Sequence, residues 1–422
     1  MPEEKRHWKT PFFTIWTGQQ FSLIGSQLVQ FALVWWLTRT TGSATVLATA
    51  TLVAIIPQVV IGPFAGPLID RFSRRTVMII ADGGIALASA ALAYLFFAGI
   101  AQVWHIYLIM IIRAIGGGFH WPAMTASTTL MVPGEHLTRV AGLNQTMQGA
   151  TNIIAPPLGA ILLSLLPMYG ILGIDVFTAT IAIVPLFFIP IPQPTLAEEQ
   201  KEMPYFKQIS AGFHYVWRWK GLLLVIGMAM LINFAVQPAF SLLPLLVNKH
   251  FSAGALQLGW LEAAFGIGVV LGGLALSVWG GFRRRILTSL LGVVGMGIGI
   301  IIIGLLPSSA LLIAIGPLFL VGIMNPLANG PLQALIQSTV SPEMQGRVFT
   351  LLGSLVTAMS PLSLAMAGPI ADWLGIQFWY VVGGAIMIAI GLIAFAVPAI
   401  VHIEDEHAAL IEDASPPSAP GK

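Results

Sequence analysis

Gly62-Pro-Phe-Ala-Gly66-Pro-Leu-Ile-Asp70-Arg71-Phe-Ser-Arg74-Arg75 is the stretch on which the reading of this chain turns. An apolar run long enough to cross a bilayer ends here in one acid and three arginines, and a second apolar run begins at once. Two membrane-spanning helices joined by a tight basic turn read this way. Short loops rich in Lys and Arg stay inside, so the turn is predicted on the cytoplasmic side.

The rest of the chain agrees with a membrane setting. Of its 422 residues, 57% are hydrophobic and only 9% charged, with a mean hydropathy of +0.88. Soluble domains carry about 25% charged residues, so the sequence describes an integral, multi-pass membrane protein. A net charge of +2 says little by itself; the placement of the charges says more. The absence of cysteine excludes disulfides, thiolate chemistry and Cys-ligated metals. No Gly-x-x-x-x-Gly-Lys-Ser/Thr run is present, so ATP is not hydrolysed through a P-loop. Glycine-rich runs near 266–273 and 295–299 lie in apolar segments and read as helix packing. Enzymatic activity, cofactors, metals and nucleic acid are therefore not expected.

A span needs ~20 apolar residues, and on that rule there are twelve: 11–37, 44–69, 76–98, 104–131, 140–166, 170–190, 221–247, 256–280, 286–306, 308–331, 346–371 and 378–401. The first is read as an uncleaved span, since no small-residue cleavage site follows it. With the first residue inside, every Lys and Arg except Arg39, Lys249 and Arg113 falls in the cytoplasm, which places both termini there. The chain also repeats itself. Val132-Pro-Gly-Glu135-His-Leu-Thr-Arg139-Val140 matches Val340-Ser-Pro-Glu343-Met-Gln-Gly-Arg347-Val348, and Val60-Ile-Gly62 with Arg74-Arg75 matches Val270-Leu-Gly272 with Arg284-Arg285. A period of half the chain, with six spans per half, predicts an all-α integral membrane fold of two six-helix pseudo-repeats. The predicted domains are 1–190 and 221–401, joined by a cytoplasmic linker, 191–220, and followed by a disordered tail, 402–422. Phe206, Ile209, Phe213 and Val216 recur at helical spacing in the linker and predict an amphipathic helix on the membrane surface, with or without a signalling role.

Ionisable residues within the bilayer cost roughly 2.5–3.5 kcal/mol each on insertion scales, so each is a functional candidate. They are Asp82 in span 3, Arg113 and His120 in span 4, Asp175 in span 6 and Glu262 in span 8. At 1.5 Å per residue Asp82 lies ~9 Å and Arg113 ~27 Å from the inner ends of their spans, which argues against a pair. Glu262 and Arg113 lie ~9 and ~14 Å from the outer surface, where they can meet across a central cavity. Four of the five have a structural alternative: Arg113 bonded to backbone carbonyls, Glu262 a helix-end carboxylate facing water, Asp175 a group near the outer surface, His120 a hydrogen-bonded core residue. Amides form stripes that suit a cavity wall for a large, weakly polar solute: Gln20, Gln27 and Gln30 on span 1, Gln148 and Asn152 on span 5, Asn233 and Gln237 on span 7. Bridging between helices is the alternative for these.

The turn quoted above resembles Gly-x-x-x-Asp-Arg-x-Gly-Arg-Arg, the signature loop between helices 2 and 3 of the major facilitator superfamily, with Ser73 in place of the last glycine. The resemblance implies a gate in which Asp70, Arg71, Arg74 and Arg75 latch the two halves in the outward-facing state, extended by Glu135 and Arg139. Arg113-Ala-Ile-Gly-Gly117 resembles the span-4 motif of proton-driven facilitators, in which the arginine modulates a nearby proton site. Ala155-Pro156-Pro157-Leu158-Gly159-Ala160 resembles the antiporter motif Gly-Pro-x-x-Gly-Gly, with alanine at two glycine positions, and implies export. Trp8-Lys, Ile15-Trp-Thr-Gly-Gln19, Thr41-Gly-Ser43, Ala81-Asp82, Phe119-His120-Trp-Pro122-Ala and Gly346-Arg-Val-Phe349 look like the Mef-type macrolide efflux proteins. What that implies is a monomeric, proton-coupled antiporter of the bacterial inner membrane, exporting hydrophobic or amphiphilic drugs such as macrolides by alternating access. Two alternatives stand beside it: an exporter of an endogenous metabolite or siderophore, and a non-transporting membrane sensor on the same fold.

Overall fold

The structure, a computed structural model, describes residues 8–192, 219–339 and 342–401. Twelve of its helices are long and apolar enough to cross a membrane. In chain order they are α1 (Lys9–Thr41), α2 (Ala44–Arg71), α3 (Arg74–Phe97), α4 (Val103–Met131), α5 (Leu137–Leu165), α6 (Met168–Phe188), α7 (Lys220–Ser241), α8 (Ala255–Trp279), α9 (Arg285–Leu305), α10 (Leu311–Thr339), α11 (Pro342–Leu374) and α12 (Gln377–Ala396). All twelve predicted spans are there, with most of their ends within a turn of the predicted positions. Three departures have local causes. Helix α7 is prolonged past Ser241 by a helical turn, Leu243–Leu245, and a π turn, Leu246–His250. Helix α10 runs on to Thr339 through three prolines, Pro317, Pro326 and Pro331, which membrane helices tolerate where neighbours satisfy the freed carbonyls. Span 12 breaks at Val397, whose successor Pro398 cannot donate to the preceding turn. The linker helix expected around 206–216 and the tail from 402 lie outside the described residues.

An even number of crossings puts both described chain ends on one face, here called the terminal face; the loops α1–α2, α3–α4 and α5–α6 lie on the opposite, far face. The turns are built from local chemistry. Gly42 ends α1 in the left-handed region (φ 59°), and the Ser43 side chain then caps α2 by accepting from Val46 N. Ser73, where the family signature has glycine, caps α3 by accepting from Thr76 N.

The repeat is visible in the packing. Helix pairs α1–α6, α1–α5, α2–α4, α3–α4 and α3–α6 of the first half recur as α7–α12, α7–α11, α8–α10, α9–α10 and α9–α12 in the second. The halves meet through α2 against α11 and α5 against α8, two contacts that a pseudo-two-fold axis exchanges. Even a side-chain bond is repeated. Arg74, first residue of α3, donates to Ala126 O on α4 at 3.2 Å, and Arg285, first residue of α9, donates to Ala334 O on α10 at 3.2 Å. The structural partner of Arg74 is therefore Arg285, one residue along from the Arg284 that sequence matching gives, because the helices start there.

Four apolar clusters hold the bundle, and their membership shows where the halves touch. One joins Phe31, Trp35 and Ala160 to Leu246, Leu261 and Tyr380; another joins Leu33, Leu37 and Leu92 to Leu242, Ala371 and Trp379. Both draw on both halves, and the interhelix contacts they contain reach the far face. The other two, around Phe12, Met78 and Val140 and around Leu222, Ile286 and Val348, each belong to one half and lie toward the terminal face. Among the described residues the apolar clusters thus join the two halves toward the far face, and none of the four joins them toward the terminal face.

Both glycine-rich runs of the second half supply close contacts to α10, through Gly268 and Gly272 and through Gly295 and Gly299. A Cβ on Gly268 or Gly272 would run into the backbone of Phe319 and Ile323, and one on Gly299 would come 2.6 Å from Val321 Cγ2. Gly272→Val is expected to destabilise the purified protein by about 1–3 kcal/mol, the usual range for overpacking. Gly273→Val, where nothing lies within 4 Å of an added methyl, should change it little. Thermal unfolding in detergent compares the two; equal midpoints would contradict the packing described.

Candidate functional site

Between the halves lies a cavity of about 400 Å³ lined from both sides. Helix α1 contributes Gln27, Gln30 and Phe31; α5 contributes Asn152, Ala155 and Pro156; α7 and α8 contribute Phe240, Glu262 and Phe265. Glu262 is the one ionisable residue in this lining. It is half-buried, and among the described residues no hydrogen bond or ion pair reaches its carboxylate. The proline-rich motif of α5 explains its placement. A Cβ on Gly259 of α8 would lie 3.0 Å from Pro157 Cα and 3.1 Å from Pro156 O, so only a residue without a side chain lets the two helices meet there. Glu262 follows Gly259 by three residues, one turn further along α8. A Cβ on Gly159, from the same motif, would come 3.0 Å from the Phe31 ring of the cavity wall.

A second cavity, of about 420 Å³, lies in the first half toward the terminal face, lined by Gln20, Trp121, Thr125, Asn144, Gln145 and Gln148 among others. The side chains of α5 link the two. Trp16 Nε1 donates to Asn144 Oδ1 at 2.7 Å, and Gln148 Nε2 donates to Asn152 Oδ1 at 3.1 Å, joining a residue of the second wall to one of the first. Gln20, Gln27, Gln30, Gln148 and Asn152 therefore all lie on cavity walls. Asn233 instead accepts from Ser360 Oγ at 2.8 Å and ties α7 to α11, which is the bridging alternative. Gln237 is half-buried on α7 and lines neither cavity.

Arg113 does not meet Glu262. It forms an ion pair with Asp175 of α6, and both are enclosed within the first half. Ser89 Oγ donates to Asp175 Oδ2 at 2.7 Å, Ser26 Oγ to Asp175 Oδ1 at 3.2 Å, and Arg113 Nη2 to Ser26 O at 3.1 Å. Asp175 has no exposed surface, so its place two turns from the far end of α6 leaves it enclosed by neighbouring helices and not facing water. A depth estimate along each helix finds residues at the same height but not which way they face; Arg113 faces α1, α3 and α6, away from the cavity. Below this layer is another. Gln19 Nε2 donates to Asp82 Oδ2 at 3.0 Å, Gln19 Oε1 lies 2.8 Å from His120 Nε2, and His120 Nε2 lies 3.3 Å from Asp82 Oδ1. The two layers use the same three helices at a spacing of seven residues: Gln19 and Ser26, Asp82 and Ser89, His120 and Arg113. Seven residues are two turns, so the layers are stacked about 10 Å apart.

The expected gate residues are distributed differently. Arg74 and Arg75 donate to carbonyls of their own half, Ala126 O and Phe187 O, the latter at 2.6 Å. Glu135 Oε1 lies 3.4 Å from His136 Nε2, and Arg139 is exposed at the start of α5. The side chains of Asp70 and Arg71, at the end of α2, lie outside the described residues. One inter-half residue was not anticipated: Asp372, at the far end of α11, accepts hydrogen bonds from the start of α2. A second copy of the Gly-Pro-x-x-Asp pattern, Gly368-Pro-Ile-Ala-Asp372 beside Gly66-Pro-Leu-Ile-Asp70, is the signal that could have found it.

Residues 15–364 match the family described as Major Facilitator Superfamily. Macrolide efflux protein A of Streptococcus pyogenes is 34% identical over 391 residues, 93% of this chain and 96% of that protein. Multidrug efflux pump Tap of Mycolicibacterium fortuitum is 24% identical over 89% of this chain and 92% of its own length. Among solved structures, a bacterial homologue of the iron transporter ferroportin in an inward-facing state superposes with a TM-score of 0.69 at 13% identity, covering 90% of this chain and 98% of that one.

The enclosed ion pair and the cavity carboxylate should respond oppositely to neutralisation. Asp175→Ala strands the Arg113 charge and is expected to cost about 3–5 kcal/mol, while the Arg113→Leu/Asp175→Leu pair recovers most of it. Glu262→Gln, with no partner to strand, should unfold as the parent does. Melting temperature and monodispersity after purification report all three; an Asp175→Ala protein as stable as the parent would rule out the pair as a structural requirement.

Proposed function

The chain belongs to the Major Facilitator Superfamily, and on that premise we propose that it is a proton-coupled antiporter of a bacterial inner membrane, exporting hydrophobic or amphiphilic drugs, macrolides among them, by alternating access. It is a transporter rather than an enzyme. The observation that carries the proposal is Glu262: a carboxylate with no counter-ion among the described residues, on the wall of a cavity that the two halves share. A charge held in such a place is costly, and taking up a proton removes the cost. A solute and a proton that compete for one carboxylate are exchanged, not carried together. The phenyl rings and amides around it suit a large amphiphilic solute, and the names of the macrolide and multidrug efflux relatives support drugs as cargo.

In this reading the terminal face is cytoplasmic, because the short loops there carry nearly all the lysines and arginines. The conformation described is then the one that loads solute from the inside. Deprotonated Glu262 accepts the solute, the halves rock, and a proton arriving from outside displaces the solute and resets the cavity. The two polar layers of the first half, Arg113 with Asp175 and Asp82 with His120, hold α1, α3, α4 and α6 as one rigid body, so that rocking is transmitted rather than absorbed. The protein works as a monomer, since each chain encloses a whole cavity.

In inside-out vesicles, Glu262→Gln should abolish drug uptake driven by an imposed pH gradient and drug-induced proton release, with the protein present at parental level. A fluorescent macrolide and a lumenal pH dye read the two together. Unchanged uptake with unchanged proton coupling would remove Glu262 from the mechanism.

A further inference from the structure

Asp372 lies in neither cavity and in neither polar layer, yet it joins the two halves. Its carboxylate accepts from Ser43 Oγ at 3.0 Å, Ala44 N at 2.8 Å, Thr45 N at 3.0 Å and Thr45 Oγ1 at 2.7 Å. Ala44 and Thr45 open α2, where backbone N–H groups have no partner within the helix and carry the positive end of its dipole. A carboxylate from the second half thus caps a helix of the first, and all four of its donors belong to that first half. Gly368, one turn earlier on α11, makes the approach possible: a Cβ there would come 2.6 Å from Thr45 Cα. The neighbouring inter-half bond, Thr51 to Ser241 at 2.7 Å, is neutral.

This contact has a counterpart in the sequence. Gly-Pro-x-x-Asp closes both α2 and α11, two helices that pair in opposite directions, so that one acid stands at each face of the molecule. We propose that Asp372 is a latch at the far face: engaged on the start of α2 it holds that face shut, and it must release before the cavity opens there. The contact sits at the surface, where a charge at a helix end is worth little enough to be made and broken in every cycle. The inference rests on the alternating-access reading, and it adds to it the residue that sets how often the outer side opens.

The chain contains no cysteine, so a single introduced thiol reports accessibility without background. Gln30→Cys lines the shared cavity. In this background a membrane-impermeant maleimide should react quickly from the cytoplasmic side, in inside-out vesicles, and slowly from outside in whole cells. Adding Asp372→Ala should speed the reaction from outside by roughly fivefold, the scale of one helix-terminal charge. Thr45→Val removes one donor from the other half while leaving the Ser43 cap, and should give a smaller change in the same direction. It also serves as the test should Asp372→Ala fail to reach the membrane. Outside labelling that moves in neither variant overturns the latch. Drug efflux that ignores the proton gradient, with the labelling shift intact, counts against the coupling mechanism and for the latch.

Discussion

A charge inside a bilayer has to be answered within the protein, and the way Arg113 is answered governs the rest of this molecule. Its partner is Asp175, held by Ser26 and Ser89, so that four helices of the first half converge on one ion pair. Breaking such a pair from one side is far more costly than replacing it. With Arg113 committed inward, no cation among the described residues lines the shared cavity, and Glu262 is the one ionisable residue of that lining. The rigidity of one half and the chemistry of the space between the halves are two results of the same arrangement.

The close contacts between halves follow a similar economy. Where α5 meets α8, a proline pair faces a glycine, and the backbones come together with no side chain between. Where α2 meets α11, a glycine again admits the approach, and a carboxylate then finds a helix end. The first contact is apolar and steric, the second polar and directional. The pseudo-two-fold axis relates their positions but not their chemistry.

Much of this was legible in the amino-acid sequence, because the bilayer imposes a length on each span. The twelve spans, their pairing into two similar halves and the five intramembrane ionisable residues could all be read from the residues alone. The partners could not. Depth along a helix is one coordinate; which way a side chain faces is another, and it depends on neighbours that span boundaries do not reveal. That is why Glu262 looked a suitable partner for Arg113 and Asp175 did not. The spacing of seven that stacks Gln19, Asp82 and His120 beneath Ser26, Ser89 and Arg113 was present in the sequence, but it acquires meaning only once α1, α3 and α4 are known to touch. Asp372 escaped notice because its Gly-Pro-x-x-Asp pattern does not follow the half-chain period. It relates helices that run in opposite directions. The amide on Asn233, indistinguishable in sequence from those on the cavity walls, was taken up by Ser360 instead.

The two apolar clusters that draw on both halves have a thermodynamic corollary. If the far face opens, residues such as Phe31, Leu242 and Ala371 exchange neighbours for water, and closing dries them again. Wetting apolar surface raises heat capacity. A conformational equilibrium of this kind has a temperature dependence that bends, since its enthalpy changes with every degree. Where opening of the far face limits turnover, the protein would then follow a curved Arrhenius plot across a range of growth temperatures, steepest at the warm end, even if no single chemical step changed.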